Sequence, residues 1–336
     1  MELAYGPWGE TMAELVAAGT AAEGAGFASV WTAELHRSAF VPAAALAAAT
    51  QRVDVGTGIA LAFVRSEFVT ALTALDLDDL SEGRFLLGLG TGVKRLNESW
   101  HGATFGKPAA HLRETVALIR RFIDDMGRGV DIASTGEYHD VDVRGYARPF
   151  AQVRPRVPIY LAGMGPVILR LVGEIGDGWL AHELGSPHYL QERILPRLAE
   201  GLQRGGRDRS TLQIMPSACC MPHSDGRQAR RWAAGLVAFY ASVRTYSEFF
   251  AFHGFEKESL AIQERFRAGD EAGMVDACPD EMVDAFTIAG TPDEVRARLQ
   301  QYEPLADAVK ITPPTHLVDA EVTRLAQHNI LELFAP

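Results

Sequence analysis

The sequence predicts an α/β fold: a (β/α)8 TIM barrel with insertions after the helix that follows strand four and between strands seven and eight. Three observations carry this. Short apolar runs alternate with amphipathic helical runs, which implies parallel strands covered by helices. Eight strand candidates fall near residues 3, 29, 56, 87, 160, 180, 215 and 309. No G-x-G-x-x-G stands between a strand and a helix near the start, which weakens the alternative of a doubly wound open sheet. With 336 residues, 47% of them hydrophobic, the chain suits a single large barrel domain covering residues 1–336.

The elements follow in order. "ELAY" is strand-like, and a helix runs from about 10 to 25, ending at Gly24 and Gly26. "FASVW" reads as a buried strand, "PAAALAAAT" as a helix, and "RVDVGTGIAL" as a strand rich in β-branched residues. Over 67–83 the spacing predicts a helix with Leu72, Leu75 and Leu80 on its apolar stripe and Gly83 as C-cap. "RFLLGLG" is a strand, and "AAHLRETVALIRRFIDDM" (109–126) an amphipathic helix. Residues 127–156 read as an inserted excursion with a hairpin around Tyr138–Val143. Then come the strand "VPIYLAGMG", a helix to about 175, the strand "GWLAH", a helix over 187–204 and the strand "LQIMPSACCM". A long, mostly helical stretch covers about 227–303, and "PLADAVKIT" and a terminal helix over 318–334 close the chain.

Composition excludes several classes of function. A net charge of −11 argues against nucleic-acid or anionic-membrane binding, which needs a basic surface. No uncharged apolar run reaches membrane-spanning length, and the first residues lack the pattern of a signal peptide. Cys219, Cys220 and Cys278 form no C-x-x-C pair and read as buried thiols of a reducing compartment. A cytoplasmic protein acting on a small molecule is expected. The histidines have no metal-ligand spacing, and no G-x-S-x-G or P-loop occurs.

In such a barrel the chemistry lies at the C-terminal ends of the strands. Strand two ends in Glu34 and His36, an acid/base pair by type; a helix cap and a surface histidine are the plainer reading. Strand three ends in Gly56, Thr57, Gly58 and Ile59. Strand four ends in Gly90, Thr91 and Gly92, with Lys94 and Arg95 just beyond. Strand five ends in Gly163, Met164 and Gly165, and Pro166 opens a helix whose free N–H groups suit a phosphate. An ordinary tight turn explains that stretch equally well. Strand six ends in His182 and Glu183. The aromatic stretch 239–255 reads as buried helix packing, with a lid over the barrel mouth as the minority reading.

Together the strand ends resemble the bacterial luciferase-like superfamily. The pieces are "GFASVWTAE", "VDVGTGIALAF" continued by "VRSEFVTA", "LSEGRFLLGLGTG", "AAHLRETVALIR" and "VPIYLAGMGPVILRLVGEIGDGWLAH", in that family's order over about residues 1–205. Within it, the chain is most similar to oxidoreductases that use the deazaflavin coenzyme F420. The resemblance implies a dimeric barrel holding F420, with the ring on a bulge after strand three, at Gly58–Ile59, often with a non-prolyl cis peptide. It implies phosphate contacts from Gly163, Met164, Gly165 and the region of His182. It also implies hydride transfer at C5 of the deazaflavin, with an acid/base group for the substrate proton. One branch of that group carries a Glu directly after the Gly-x-Gly of strand four, where this chain has Val93. It also carries a His one residue past the strand-two carboxylate, where this chain has Leu35. Sugar-phosphate chemistry by that acid/base pair is therefore not expected.

A basic lane for the anionic tail of F420 is expected in two runs. Lys94, Arg95, Lys107 and Arg113 face one acid, and four arginines lie between Arg144 and Arg156. The competing functions are an FMN-dependent monooxygenase using reduced flavin and oxygen, a redox-free barrel enzyme built on a strand lysine such as Lys310, and a flavin-binding relative without activity.

Overall fold

The computed structural model describes residues 1–335. In chain order its strands are β1 (Glu2–Tyr5), β2 (Ser29–Thr32), β3 (Asp54–Thr57), β4 (Ala60–Leu61), β5 (Phe85–Gly90), β6 (Ile132–Thr135), β7 (Asp140–Val143), β8 (Ile159–Ala162), β9 (Gly178–Leu180), β10 (Gln213–Met215), β11 (Ser217–Pro222), β12 (Thr287–Gly290) and β13 (Ala308–Thr312). Packing divides the chain into two compact units. One holds Met1–Phe27, His182–Gln191 and the chain from Pro216 onward; the other holds Ala28–Ala181 and Glu192–Met215.

In the larger run of consecutive strands, β2, β3, β5, β8, β9 and β10 pair side by side, all parallel. Helices Phe40–Ala49, Glu67–Leu80, Pro108–Asp125 and Pro166–Ile175 connect or follow them. In the other unit β13 lies between β1 and β11, and β11 also pairs with β12, again all parallel. Each unit is thus the helix-connected parallel α/β arrangement that the alternating pattern predicts.

Several details depart from the sequence reading. The strand expected over 212–221 is two strands, because Pro216 has no N–H to continue the ladder. β12 lies inside the stretch read as helical. It is only four residues long and fully buried, so it shows no alternation to find. The hairpin of the 127–156 excursion is β6 paired antiparallel with β7, so its first strand starts well before Tyr138.

The helix Glu67–Leu80 buries Thr70, Ala71, Ala74, Leu75, Leu77 and Asp78, while Leu80 is exposed. Its inward face therefore combines small residues with Leu75 and Leu77 and two acids, Asp78 and the first residue, Glu67, which is also buried and lies 3.1 Å from His139 Nδ1. Asp78 is tolerated there because Arg154 bonds it at 3.0 Å and also reaches Phe85 O.

Glu114 anchors the hairpin. Its carboxylate accepts the backbone N–H groups of Glu137, Tyr138 and His139. Beside it His111 is sandwiched between Phe63 and Tyr138, with ring centroids 3.8 and 4.3 Å away. Among the described residues no helix is long and apolar enough to cross a membrane, and the three cysteines are buried free thiols.

Candidate active site

The ends of β3 and β5 build the first part of the site. β3 pairs with β5 through Val55–Phe85 and Gly56–Leu86, and β4 resumes the pairing at Ala60–Leu89 and Leu61–Gly90. The offset falls from 30 to 29 (86 − 56 against 89 − 60), so one extra residue bulges out between them. The bulge contains Gly58–Ile59, and that peptide bond is cis.

Thr57 bridges the gap that the bulge leaves in the ladder. Its hydroxyl donates to Gly88 O at 2.8 Å and accepts the Gly88 N–H at 2.9 Å. The side chain is fully buried and its hydroxyl is spent on this bridge. Thr57 is thus withdrawn from cofactor contact, where the sequence reading had placed it.

Glu34 locks the same bulge from the β2 side. Its backbone N–H donates to Ile59 O at 3.0 Å, and its Oε2 accepts the Leu61 N–H at 2.8 Å. Arg65 takes both carboxylate oxygens, with Nη1 on Oε2 at 2.8 Å and Nη2 on Oε1. The guanidinium also lies over the Phe40 ring, 5.1 Å from its centroid. Burial alone would raise the Glu34 pKa, but the Arg65 bonds and the Leu61 N–H outweigh it and hold the carboxyl below the usual range. Glu34 is therefore ionised at neutral pH with both oxygens engaged. It fixes backbone and has no proton to give. Arg65 carried no strand-end signal in the sequence, since it sits in the loop after β4. His36 is exposed at the tip of the Glu34 loop.

At the end of β5 the small residues answer to neighbouring side chains. A Cβ on Gly90 would come within 2.9 Å of Ile59 Cγ1, and one on Gly92 within 2.6 Å of Leu61 Cδ2. Thr91 is half-buried. Lys94 is exposed and pairs with Glu98 at 3.9 Å.

The two basic runs are also largely spent. Lys107 pairs with Glu137, Arg113 with Glu174, Arg144 with Asp142, Arg148 with Asp76, Arg154 with Asp78 and Arg156 with Asp177. Seven of the eight cations thus have a carboxylate partner among the described residues, Arg95 being the eighth. The expected basic lane is mainly a set of ion pairs, a pairing that sequence distance hides.

The end of β8 is more open. Gly163 is pinned by its carbonyl, which accepts the Trp179 indole N–H at 2.8 Å, and a Cβ there would strike Ile168. Met164 follows, half-buried. Gly165 has no atom within 4 Å of a built Cβ. It is the N-cap of the helix Pro166–Ile175, has no capping side chain, and leaves the first turn's N–H groups facing outward beside Pro166.

His182 belongs to the other unit, with Glu183, Tyr240 and Tyr246. The Leu184 N–H donates to His182 Nδ1 at 3.1 Å, so that nitrogen carries no proton. The neutral ring then has its proton on Nε2, which donates to Tyr246 Oη at 3.0 Å. Both ring nitrogens are thus used inside this unit, and none is left for a cofactor phosphate. The Tyr240 hydroxyl donates to Glu183 Oε2 at 3.3 Å. Tyr240 and Tyr246 lie in the aromatic stretch that the sequence reading assigned mainly to packing; their hydroxyls showed no motif.

Burial holds the His182 pKa down at about 4, with Lys310 and His316 adding to the effect and Glu183 opposing it. Between pH 6.5 and about 4 the unfolded chain binds a proton that the folded ring refuses. Stability is therefore expected to fall as the pH drops through that window. Melting temperature against pH should lose part of its acid slope in His182→Gln; an unchanged slope would refute the assignment.

These features have a family. The sequence model of the luciferase-like monooxygenases matches residues 2–307, and the chain belongs to that family. A protein of Mycobacterium tuberculosis whose provisional name is coenzyme F420-dependent oxidoreductase is 31% identical over 327 residues, covering 90% of this chain and 91% of the relative. Among solved structures, the coenzyme F420 dependent tetrahydromethanopterin reductase from Methanopyrus kandleri superposes with a TM-score of 0.82 at 21% identity, covering 99% of this chain and all of that one. The oxygenating constituent of 3,6-diketocamphane monooxygenase from Pseudomonas putida, in complex with FMN, gives 0.70 at 19%, covering 100% and 96%. The fold is shared with reductases and oxygenases alike.

Proposed function

We propose that this protein is an oxidoreductase that transfers a hydride between coenzyme F420 and a small organic substrate. The observation that carries the reading is the backbone shelf Gly58–Leu61, clamped by the Glu34–Arg65 pair at the end of a parallel strand. A tricyclic ring needs a flat, fixed support, and a partly buried ion pair with bidentate geometry supplies that rigidity. The residues present fit such a group. Gly58 and Ile59 would carry the ring. Gly163, Met164, Gly165 and the N–H groups after Pro166 would take a phosphate, since no side chain fills the space at Gly165. Gly90, Thr91, Gly92 and Lys94 border the shelf from β5. When bound, the deazaflavin supplies or accepts the hydride.

The chain's own part is to hold and orient. Glu34 keeps the shelf in place as an anion, and His36 is the acid/base candidate with a side chain left exposed for the substrate proton. The resemblance adds a homodimer to the proposal.

One observation favours the competing reading, an FMN-dependent monooxygenase. With most of the basic runs paired off, the longer anionic tail of F420 finds few uncommitted cations. Titrating the purified protein with F420 and with FMN separates the two; far tighter binding of FMN, with oxygen consumption, would sink the F420 reading. Gly165→Ala sharpens the test. It has open space and an ordinary φ of −75°, so its melting temperature should stay close to wild type. Its cofactor affinity should fall roughly tenfold if a phosphate sits there. Unchanged affinity would move the phosphate seat elsewhere.

A further inference from the structure

β13 presents two polar side chains on one face. Lys310 and Thr312 are two residues apart, so both project to the same side of the sheet, and Val309 and Ile311 to the other. Register tells which side is which. Ile311 lies beside Tyr5 of β1, and the Tyr5 hydroxyl donates to Gln327 Oε1 on the helix Ala320–Phe334. Tyr5 and Ile311 therefore face the helical cover. Ala4, Lys310 and Thr312 face away from it, with Ser217 and Cys219 of β11 beside the last two.

Both groups on that face lack partners. Lys310 is 7% exposed and Thr312 8%. Among the described residues the Lys310 ammonium makes no hydrogen bond or ion pair, and Thr312 Oγ1 is a buried atom without a hydrogen-bond partner. Glu183 is the acid whose charge acts on Lys310, yet its carboxylate is bonded by Tyr240. Burial pulls the Lys310 pKa below the usual lysine range, and only Glu183 opposes this. Burying a cation and a hydroxyl unpaired is costly, and folded proteins leave few such groups. Two of them, adjacent on one face, point to a missing third party that accepts from both.

We infer that Lys310 Nζ and Thr312 Oγ1 form a subsite for a carboxylate. One oxygen would accept from the ammonium and the other from the hydroxyl, which satisfies both donors and neutralises the buried charge. The carboxylate belongs either to the substrate or to the tail of the cofactor. In the first case the inference rests on the hydride-transfer reading above; the binding itself does not.

The test uses benzoate as probe, with benzamide as its neutral counterpart, titrated calorimetrically into the full-length protein. Benzoate should bind wild type at least roughly tenfold more tightly than benzamide, and Lys310→Met should lose roughly 10- to 100-fold of the benzoate affinity. Thr312→Val should lose several-fold. The melting temperature of Lys310→Met should rise, because methionine replaces an unpaired buried cation. Lys310→Gln repeats the comparison should the methionine variant fail to fold. F420 titrated into the same variants assigns the source: affinity within twofold of wild type gives the carboxylate to the substrate. A tenfold loss, with benzoate competing against F420, gives it to the cofactor. The subsite is overturned if benzoate fails to bind, if benzamide binds as well, if Lys310→Met keeps wild-type benzoate affinity, or if that variant melts lower, as a structural lysine would. Failure of F420 to bind any variant would defeat the hydride-transfer reading alone and leave the benzoate comparison intact.

Discussion

Replacing Glu34 with alanine is expected to destabilise the protein by about 2–4 kcal/mol and to weaken cofactor binding at least roughly tenfold. The side chain is 9% exposed and the Arg65 side chain 27%. Removing the carboxylate strands a partly buried guanidinium and orphans the Leu61 N–H. The shelf Gly58–Leu61 then loses the anchor that fixes it to the end of β2. Glu34→Gln keeps the shape and the Leu61 bond but loses the charge, so it should lie between wild type and alanine.

A double-mutant cycle with Arg65→Met should give a coupling of about 2 kcal/mol. Additive effects would mean that the pair does not act as a unit. The sign with pH also follows. The Glu34 pKa is lowered in the folded state, so its contribution is complete above the ordinary value of 4.5 and is lost as the pH falls through the lower folded value. Loss of turnover in Glu34→Gln with stability and cofactor affinity intact would instead make Glu34 a reacting group.

Gly88→Ala should be more damaging still. A Cβ at this position would lie 1.7 Å from Thr57 O and 2.9 Å from Leu180 Cδ1. The first neighbour is backbone and cannot turn aside. β3 and β5 would have to part, breaking the two Thr57–Gly88 bonds that bridge the bulge. Overpacking at about 1–3 kcal/mol and two hydrogen bonds at about 1 each give a cost of about 3–5 kcal/mol. For a chain of this size that lowers the melting temperature by roughly 6–15 °C. A variant melting within about 2 °C of wild type would show that the strand end is looser than its bonds imply.

Much of the fold is legible in the amino-acid sequence. The strand–helix alternation marked the strands of both units, because burial on both faces of a parallel sheet leaves continuous apolar runs that stand out. The glycines at the strand ends marked where the backbone is crowded. Other features left no trace. β12 was hidden because four buried residues carry no period, and the break at Pro216 because a proline inside an apolar run still looks like one strand. Of the expected stripe Leu72, Leu75 and Leu80, only Leu75 is buried; close packing set Leu77, small side chains and the acids Glu67 and Asp78 beside it, and Asp78 is held by Arg154, a partner that chain order hides.

For the site, sequence supplied positions and structure supplied partners. The residues after each strand, from Glu34 to His182, could be named because chain order fixes which side chains follow a strand. Whether a carboxylate is a proton carrier or an anchor depends on what lies within about 3 Å of it. Arg65 is 31 residues from Glu34, Asp78 is 76 from Arg154, and Tyr246 is 64 from His182. The sequence by itself determined the parallel α/β architecture and the family, since both rest on local period and short motifs. Only the tertiary structure decided that Thr57 bridges a ladder, that Glu34 stays charged and that Lys310 stays unpaired, because hydrogen bonds and desolvation act between groups that chain order keeps apart.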